Sequence, residues 1–165
     1  MVIGMYSVHK VNPYDIVGLY RVEQILHRCG ENMAIKHGLQ HWNNSHFKNA
    51  VVMALCIMKN KVYLVYNNDH NAIATFQIRK GGTELHFQKL ATDPVFSGKG
   101  VGSFCLEYIE RVALAEGCDK VCLEVYDKSK HAIGFYINRG YWVCGSVNTL
   151  KYTELKMEKY IGVSI

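Results

Sequence analysis

The stretch Thr92-Asp93-Pro94-Val95-Phe96-Ser97-Gly98-Lys99-Gly100-Val101-Gly102-Ser103 decides how the rest of the chain is read. It follows a β-patterned run and opens a helical one. Glycines let the backbone take left-handed conformations and approach a ligand closely. A helix N-terminus offers unpaired N–H groups and a partial positive charge. Together with the Lys99 cation, this composition predicts a phosphate cradle at the start of a helix. Two well-known phosphate loops do not fit. A P-loop needs Ser or Thr after its Gly-Lys pair, and here Gly98-Lys99 is followed by Gly100. A dinucleotide fingerprint built on Gly98 and Gly100 needs a third glycine where Ser103 stands. A glycine turn without ligand is the structural alternative.

Downstream, Val101, Phe104, Cys105, Tyr108, Ile109 and Val112 recur at helical spacing as far as Gly117. Lys120 to Tyr126 reads as a strand. Val121, Leu123 and Val125 share one face of it, and Cys122, Glu124 and Tyr126 the other. Ser129 opens a short helix that ends by Gly140, and the runs 141–147 and 154–161 read as two last strands. Upstream, Val62 to Tyr66, Ala72 to Arg79 and Glu84 to Thr92 form a meander broken by the turn clusters 67–71 and 81–82. Before it, residues 1–11 suggest a strand. Asn12-Pro13 caps a helix expected to end at Gly30. A short helical stretch runs from Asn32 to Lys36, and a further helix from His46 to about Lys59. This order predicts an α/β or α+β fold with a mixed sheet.

The chain has 165 residues and only two prolines, with no repeat or linker, and reads as a single domain over 1–165. The net charge of +5 comes from scattered residues rather than a basic stripe, which argues against a nucleic-acid partner. No run of apolar residues is long enough for a membrane span. The N-terminus lacks a secretory pattern, so a cytoplasmic location is expected. The six cysteines include no C-x-x-C pair and read as reduced core thiols, with no metal site implied.

The loop and its neighbours resemble the GNAT superfamily, the acyl-CoA-dependent N-acyltransferases. The family's Arg/Gln-x-x-Gly-x-Gly/Ala signature corresponds to Ser97-x-x-Gly100-x-Gly102, with Ser in place of Arg or Gln. Its Asn-x-x-Ala-x-x-x-Tyr-x-x-x-Gly-Phe segment corresponds to Ser129, Ala132, Tyr136, Gly140 and Tyr141. Leu123 to Tyr126 looks like its fifth strand, Met157-Glu158-Lys159 like its last, and Gly38 to Trp42 like the linker between its first helices.

The resemblance implies a mostly antiparallel sheet of six to seven strands flanked by helices, splayed between strands four and five. It implies acetyl-CoA as co-substrate. Pantetheine would lie along Leu90, Ala91 and Thr92. Pyrophosphate would sit on Ser97, Gly98, Lys99, Gly100, Val101, Gly102 and Ser103, with Ser129 further along. Acetyl transfer to a small-molecule or peptide amine would follow by direct attack, Tyr136 acting as general acid. Glu124, a carboxylate amid apolar neighbours, is the leading candidate for the base, acting directly or through water. Glu84 is a weaker candidate, and ordered water alone another. His41, His86 and His131 are candidates to line a site, though each by itself reads as an ordinary surface residue, and Cys122 reads as a structural thiol rather than a nucleophile. A homodimer is carried by family habit alone. A non-catalytic acyl-CoA sensor on the same fold, and a protein using the loop for ATP, are the competing readings.

Overall fold

The computed structural model describes residues 5–42 and 57–162. Its strands are β1 (Tyr6–Lys10), β2 (Lys61–Asn67), β3 (Ala72–Gly81), β4 (Glu84–Thr92), β5 (Lys120–Tyr126), β6 (Trp142–Asn148) and β7 (Thr153–Tyr160). Its helices are α1 (Ile16–His37), α2 (Val101–Ala115) and α3 (Lys130–Ile137), with a 3-10 turn at Pro94–Phe96. The strands form one sheet in the order β1-β2-β3-β4-β5-β7-β6. The pairing of β4 with β5 is parallel, while β1–β2, β2–β3, β5–β7 and β6–β7 are antiparallel. This is the mixed, mostly antiparallel sheet flanked by helices that the sequence implies. The parallel ladder is short. It joins Glu84 to Lys120, Leu85 to Val121 and His86 to Cys122, and stops there, although β4 runs on to Thr92 and β5 to Tyr126.

The N-terminal helix differs from the sequence reading at both ends. Asn12 caps only a turn, its side chain accepting from the Tyr14 N–H at 2.9 Å. The helix itself is capped by Asp15, whose carboxylate accepts from the Gly18 N–H at 2.8 Å. Gly30 does not end it. A Cβ at Gly30 would lie 3.0 Å from the Trp42 carbonyl oxygen, so this glycine admits a close backbone approach. The helix runs on through the second predicted stretch to Gly38, whose φ of +65° ends it. Of the helix expected over 46–59, only residues 57–59 are described, and they are helical.

The chain falls into two compact units, Met1–Arg79 with Lys89–Glu107, and Lys80–Gln88 with Tyr108–Ile165. In the first, Leu19, Val22, Ile25 and Leu26 of α1 are buried with Val11, Val62, Leu64 and Ala91. Each of these Val, Leu and Ile side chains contributes about 1.5–3 kcal/mol on full burial. In the second, Leu85, Phe87, Ile109, Val121, Leu123 and Met157 are buried. Tyr136 and Tyr141 join them through ring contacts with Phe87 at 5.9 and 6.4 Å.

Candidate functional site

The glycine turn lies in the first unit. Gly98 and Gly100 have φ of +76° and +78°, a conformation costing an L-residue about 1–2 kcal/mol. A Cβ at either would meet nothing within 4 Å. The glycines are therefore required by backbone conformation rather than packing, and the space over them is open. The Gly100 carbonyl accepts the first intrahelical bond, from the Phe104 N–H at 3.0 Å. The amides of Val101 and Gly102 lie ahead of that bond, in the first turn, where a helix N-terminus receives anions. Lys99 stands between the two left-handed glycines, its ammonium 5.9 Å from the Phe96 ring centre.

Contacts remote in sequence hold this turn. The Tyr6 hydroxyl donates to the Lys99 carbonyl at 3.3 Å, and its ring packs on Phe104 at 5.0 Å. Asp93, 1% exposed, accepts from the Val95 N–H at 3.1 Å and from the Arg28 guanidinium at 2.6 Å. The Cys29 thiol donates to the Thr92 carbonyl at 2.8 Å. Tyr6, Arg28, Cys29 and Asp93 are positioning residues that sequence reasoning missed, since no local pattern links them to the turn. Ser97 commits its hydroxyl proton to the Pro94 carbonyl at 2.9 Å and so shapes the 3-10 turn. Of the predicted pantetheine positions, Ala91 is buried in the first unit's core, and Thr92 has its carbonyl engaged by Cys29. Just ahead of Leu90, Lys89 takes a φ of +54° inside β4. A left-handed non-glycine residue within a strand stores strain of order 1–3 kcal/mol, a feature that concentrates at functional sites.

The second unit holds the candidate acid and base. β5 alternates as predicted, with Val121, Leu123 and Val125 buried and Glu124 exposed. The Glu124 carboxylate is hydrogen-bonded by His86 Nε2. His86, expected as an ordinary surface residue, is thus paired across the β4–β5 ladder. On the same face Lys120 bridges Glu84 at 2.8 Å and Glu158 at 2.9 Å. The hydrogen bond from Lys120 holds the Glu84 carboxyl below the usual carboxylate range. The Cys122 thiol donates to Glu84 at 3.7 Å. Burial, then the Glu84 charge, pushes its pKa up to about 12, which favours the protonated thiol.

Tyr136 is buried on α3, its ring 5.9 Å from Phe87 and 5.9 Å from Tyr141. Phe87 lies on the buried face of β4 and His86 on the other. Ser129 is buried, its hydroxyl making no cap bond and finding no partner among the described residues. Such an orphaned hydroxyl costs about 1–3 kcal/mol and is a natural place for a ligand to bond. Cys29, Cys105, Cys118, Cys122 and Cys144 are free thiols, and Cys144, against the expectation of core thiols, is exposed. Among the described residues no group of three His, Cys, Asp or Glu could hold a metal ion, and no helix is long and apolar enough to cross a membrane.

The sequence model of the acetyltransferase (GNAT) family matches residues 19–141. No curated protein matches the chain. Among solved structures, the ribosomal-protein-S18-alanine N-acetyltransferase from Escherichia coli is similar, at 16% identity and TM-score 0.72, over 97% of this chain and 96% of that one. The PaiA N-acetyltransferase from Thermoplasma acidophilum in complex with coenzyme A has 14% identity and TM-score 0.74, over 94% and 98%. Nourseothricin acetyltransferase has 20% identity and TM-score 0.57, over 63% of this chain and 66% of its own length. At these identities the likenesses speak for the fold.

Proposed function

The chain belongs to the acetyltransferase (GNAT) family, and on that premise we propose that it transfers an acetyl group from acetyl-CoA to a primary amine. The observation that carries this reading is the pair of left-handed glycines, Gly98 and Gly100, opening directly onto the N-terminus of α2. The amides of the turn and first helical residues, from Gly98 to Ser103, are the natural seat for the coenzyme's pyrophosphate. Leu90 to Thr92 would run beside the pantetheine, beyond the left-handed residue Lys89. The Ser129 hydroxyl, without a partner among the described residues, is a further donor toward the coenzyme. Ser97 contributes through the shape of the turn rather than through its hydroxyl proton.

The reaction requires a neutral amine, whose lone pair attacks the thioester carbonyl. The C–S bond then breaks, and the departing thiolate takes a proton. Tyr136 is the proposed donor of that proton, and Glu124 the proposed source of basicity for removing the ammonium's proton, directly or through an intervening group. Attack is direct, within a complex holding both substrates, so no covalent enzyme intermediate is needed. A thiol pushed up to about 12 at Cys122 fits that absence. We assign residues 1–165 to one N-acetyltransferase domain acting in the cytoplasm, with no nucleic-acid or membrane partner and pairing as a homodimer.

The amine can be a small molecule or a peptide. The solved relatives include, by name, an enzyme for a protein alanine and one for nourseothricin. The test is release of free thiol from acetyl-CoA against a panel of polyamines, aminoglycosides, amino acids and peptides. Tyr136→Phe should lower kcat about 10²- to 10⁴-fold while keeping coenzyme A binding. Full turnover in that variant would remove Tyr136 as the acid. Tight coenzyme binding with no thiol released by any amine would instead identify a sensor, and stabilisation by ATP alone would identify a nucleotide-binding protein.

A further inference from the structure

The open face of the β4–β5 pair holds one contact that the acid–base assignment above leaves unused. His86 Nε2 lies against Glu124 Oε2, and both side chains are partly open, at 22% and 33% exposure. A carboxylate only accepts, so Nε2 carries a hydrogen and donates it. A neutral imidazole has one N–H, so the ring's lone pair then sits on Nδ1. The carboxylate fixes which ring nitrogen can take up a proton.

Charged groups lie around this ring on the same face. Glu84 precedes His86 by two residues on the same face of β4. His86 lies, after Lys120, among the charges that hold the Glu84 carboxyl low. Lys120, the ammonium on the adjoining position of β5, is shared between Glu84 and Glu158. Cys122, paired with His86 in the ladder, carries no charge. Lys156 opposes Glu124 from β7, a second ammonium on this face beside Lys120.

Resting on the acetyltransferase reading, we infer that His86 is the group that takes the proton of the acceptor ammonium, with Glu124 acting through it as the positioning carboxylate. The Nδ1 lone pair forms the new N–H bond as the ammonium N–H bond breaks. This leaves a neutral amine, whose lone pair attacks the thioester. The imidazolium keeps its Nε2–H on Glu124 and later gives its Nδ1 proton to solvent.

Two measurements on the full-length protein test this. The first follows the imidazole nitrogens of the 15N-labelled protein by NMR. The wild type should hold His86 as the Nε2–H tautomer at neutral pH, and Glu124→Gln should weaken that preference. The Nδ1–H tautomer in the wild type would overturn the proposal without any reference to turnover. The second is the pH profile of kcat/KM for an amine that the thiol-release panel finds. His86→Gln should lose the limb that falls toward acid pH, and about 100-fold or more of the rate at neutral pH. Glu124→Gln should keep that limb but shift it to lower pH. Retention of the limb in His86→Gln, with loss in Glu124→Gln, would make Glu124 the direct base and sink the proposal. So would retention unchanged in both. Stabilisation by coenzyme A in each variant reports that the fold is intact. A wild type that acetylates no amine would count against the acetyltransferase reading itself, and is distinct from a working enzyme indifferent to His86.

Discussion

The Arg28 guanidinium donates to the Asp93 carboxylate at 2.6 Å across 65 residues of chain. It ties the middle of α1 to the residue that caps the 3-10 turn before the glycine loop. Cys29 bonds the preceding carbonyl, of Thr92, at 2.8 Å. Two adjacent residues of α1 thus fix the two residues from which the loop departs.

Removing the charge from Asp93 should therefore act on both stability and ligand. Asp93→Asn loses the ion pair and weakens the bond to Val95. Asp93 is buried but Arg28 is half exposed, so the cost is about 1–3 kcal/mol, below that of a wholly buried pair. Urea unfolding measures it. Coenzyme A affinity, by titration calorimetry, should fall as well. An unchanged affinity in a destabilised variant would show that the loop does not depend on this anchor.

The glycines allow a cleaner separation. Gly82, in the β3–β4 turn, has a φ of +60° and open space around a Cβ, much as Gly98 and Gly100 do. Alanine at any of the three should cost about 1–2 kcal/mol, a drop of roughly 2–8 °C in Tm. Only Gly98→Ala and Gly100→Ala should also weaken coenzyme A binding, by ten-fold or more, since only there would a methyl group and a shifted backbone meet the pyrophosphate. Equal affinity across the three variants would remove the loop as the coenzyme's seat.

What could be read from the residues in order was what repeats at short range. The alternation of Val121, Leu123 and Val125 placed Glu124 on the open face of β5, and the i, i+3, i+4 pattern after Gly100 located α2. Gly30 misled because a glycine that ends a helix and one that admits a crossing backbone look alike in sequence. Only the return of Trp42 separates them. The pairing of His86 with Glu124 was hidden for a related reason. Glu124 stood out by its place on the strand and His86 only as one of three histidines, and their meeting depends on the parallel register of β4 and β5, which no local pattern encodes. Arg28 and Asp93 were hidden in the same way, with chemistry that becomes visible only when the chain folds back.

The bridge from Lys120 to Glu84 and Glu158 predicts an acid-dependent stability difference. Glu84 has its folded pKa lowered, chiefly by the Lys120 hydrogen bond. Its contribution is present above the unfolded carboxyl value of about 4.3 and is lost as pH falls through the lower folded value. Lys120 has its pKa raised, by Glu84 first and Glu158 second. Its contribution is present below the unfolded value of about 10.4 and is lost only as pH rises through the raised one. Lys120→Met should therefore lower stability at pH 7 by about 1 kcal/mol, a modest figure because Glu84 is half exposed. The gap from wild type should narrow as pH is taken down to about 3. Urea midpoints at three pH values measure it, and a gap that does not change with pH would show that the bridge contributes no charge-dependent stability.

Cys122 and Cys144 carry the last prediction, which bears on direct attack. Burial first, then the Glu84 charge, pushes Cys122 up to about 12, which disfavours the thiolate at neutral pH. Cys144 is also raised, by burial first, but it lies exposed on β6, which ends the sheet. An alkylating reagent should meet Cys144 first, because access adds to thiolate fraction in setting the rate. Iodoacetamide at neutral pH should modify Cys144 well before Cys122, as read by peptide mass spectrometry. Acetyl-CoA without an amine should leave no acetyl group on the Cys122 peptide after a rapid acid quench. An acetylated Cys122 peptide would replace direct attack with a two-step transfer through the thiol, and would reassign Glu84 as the base that activates it.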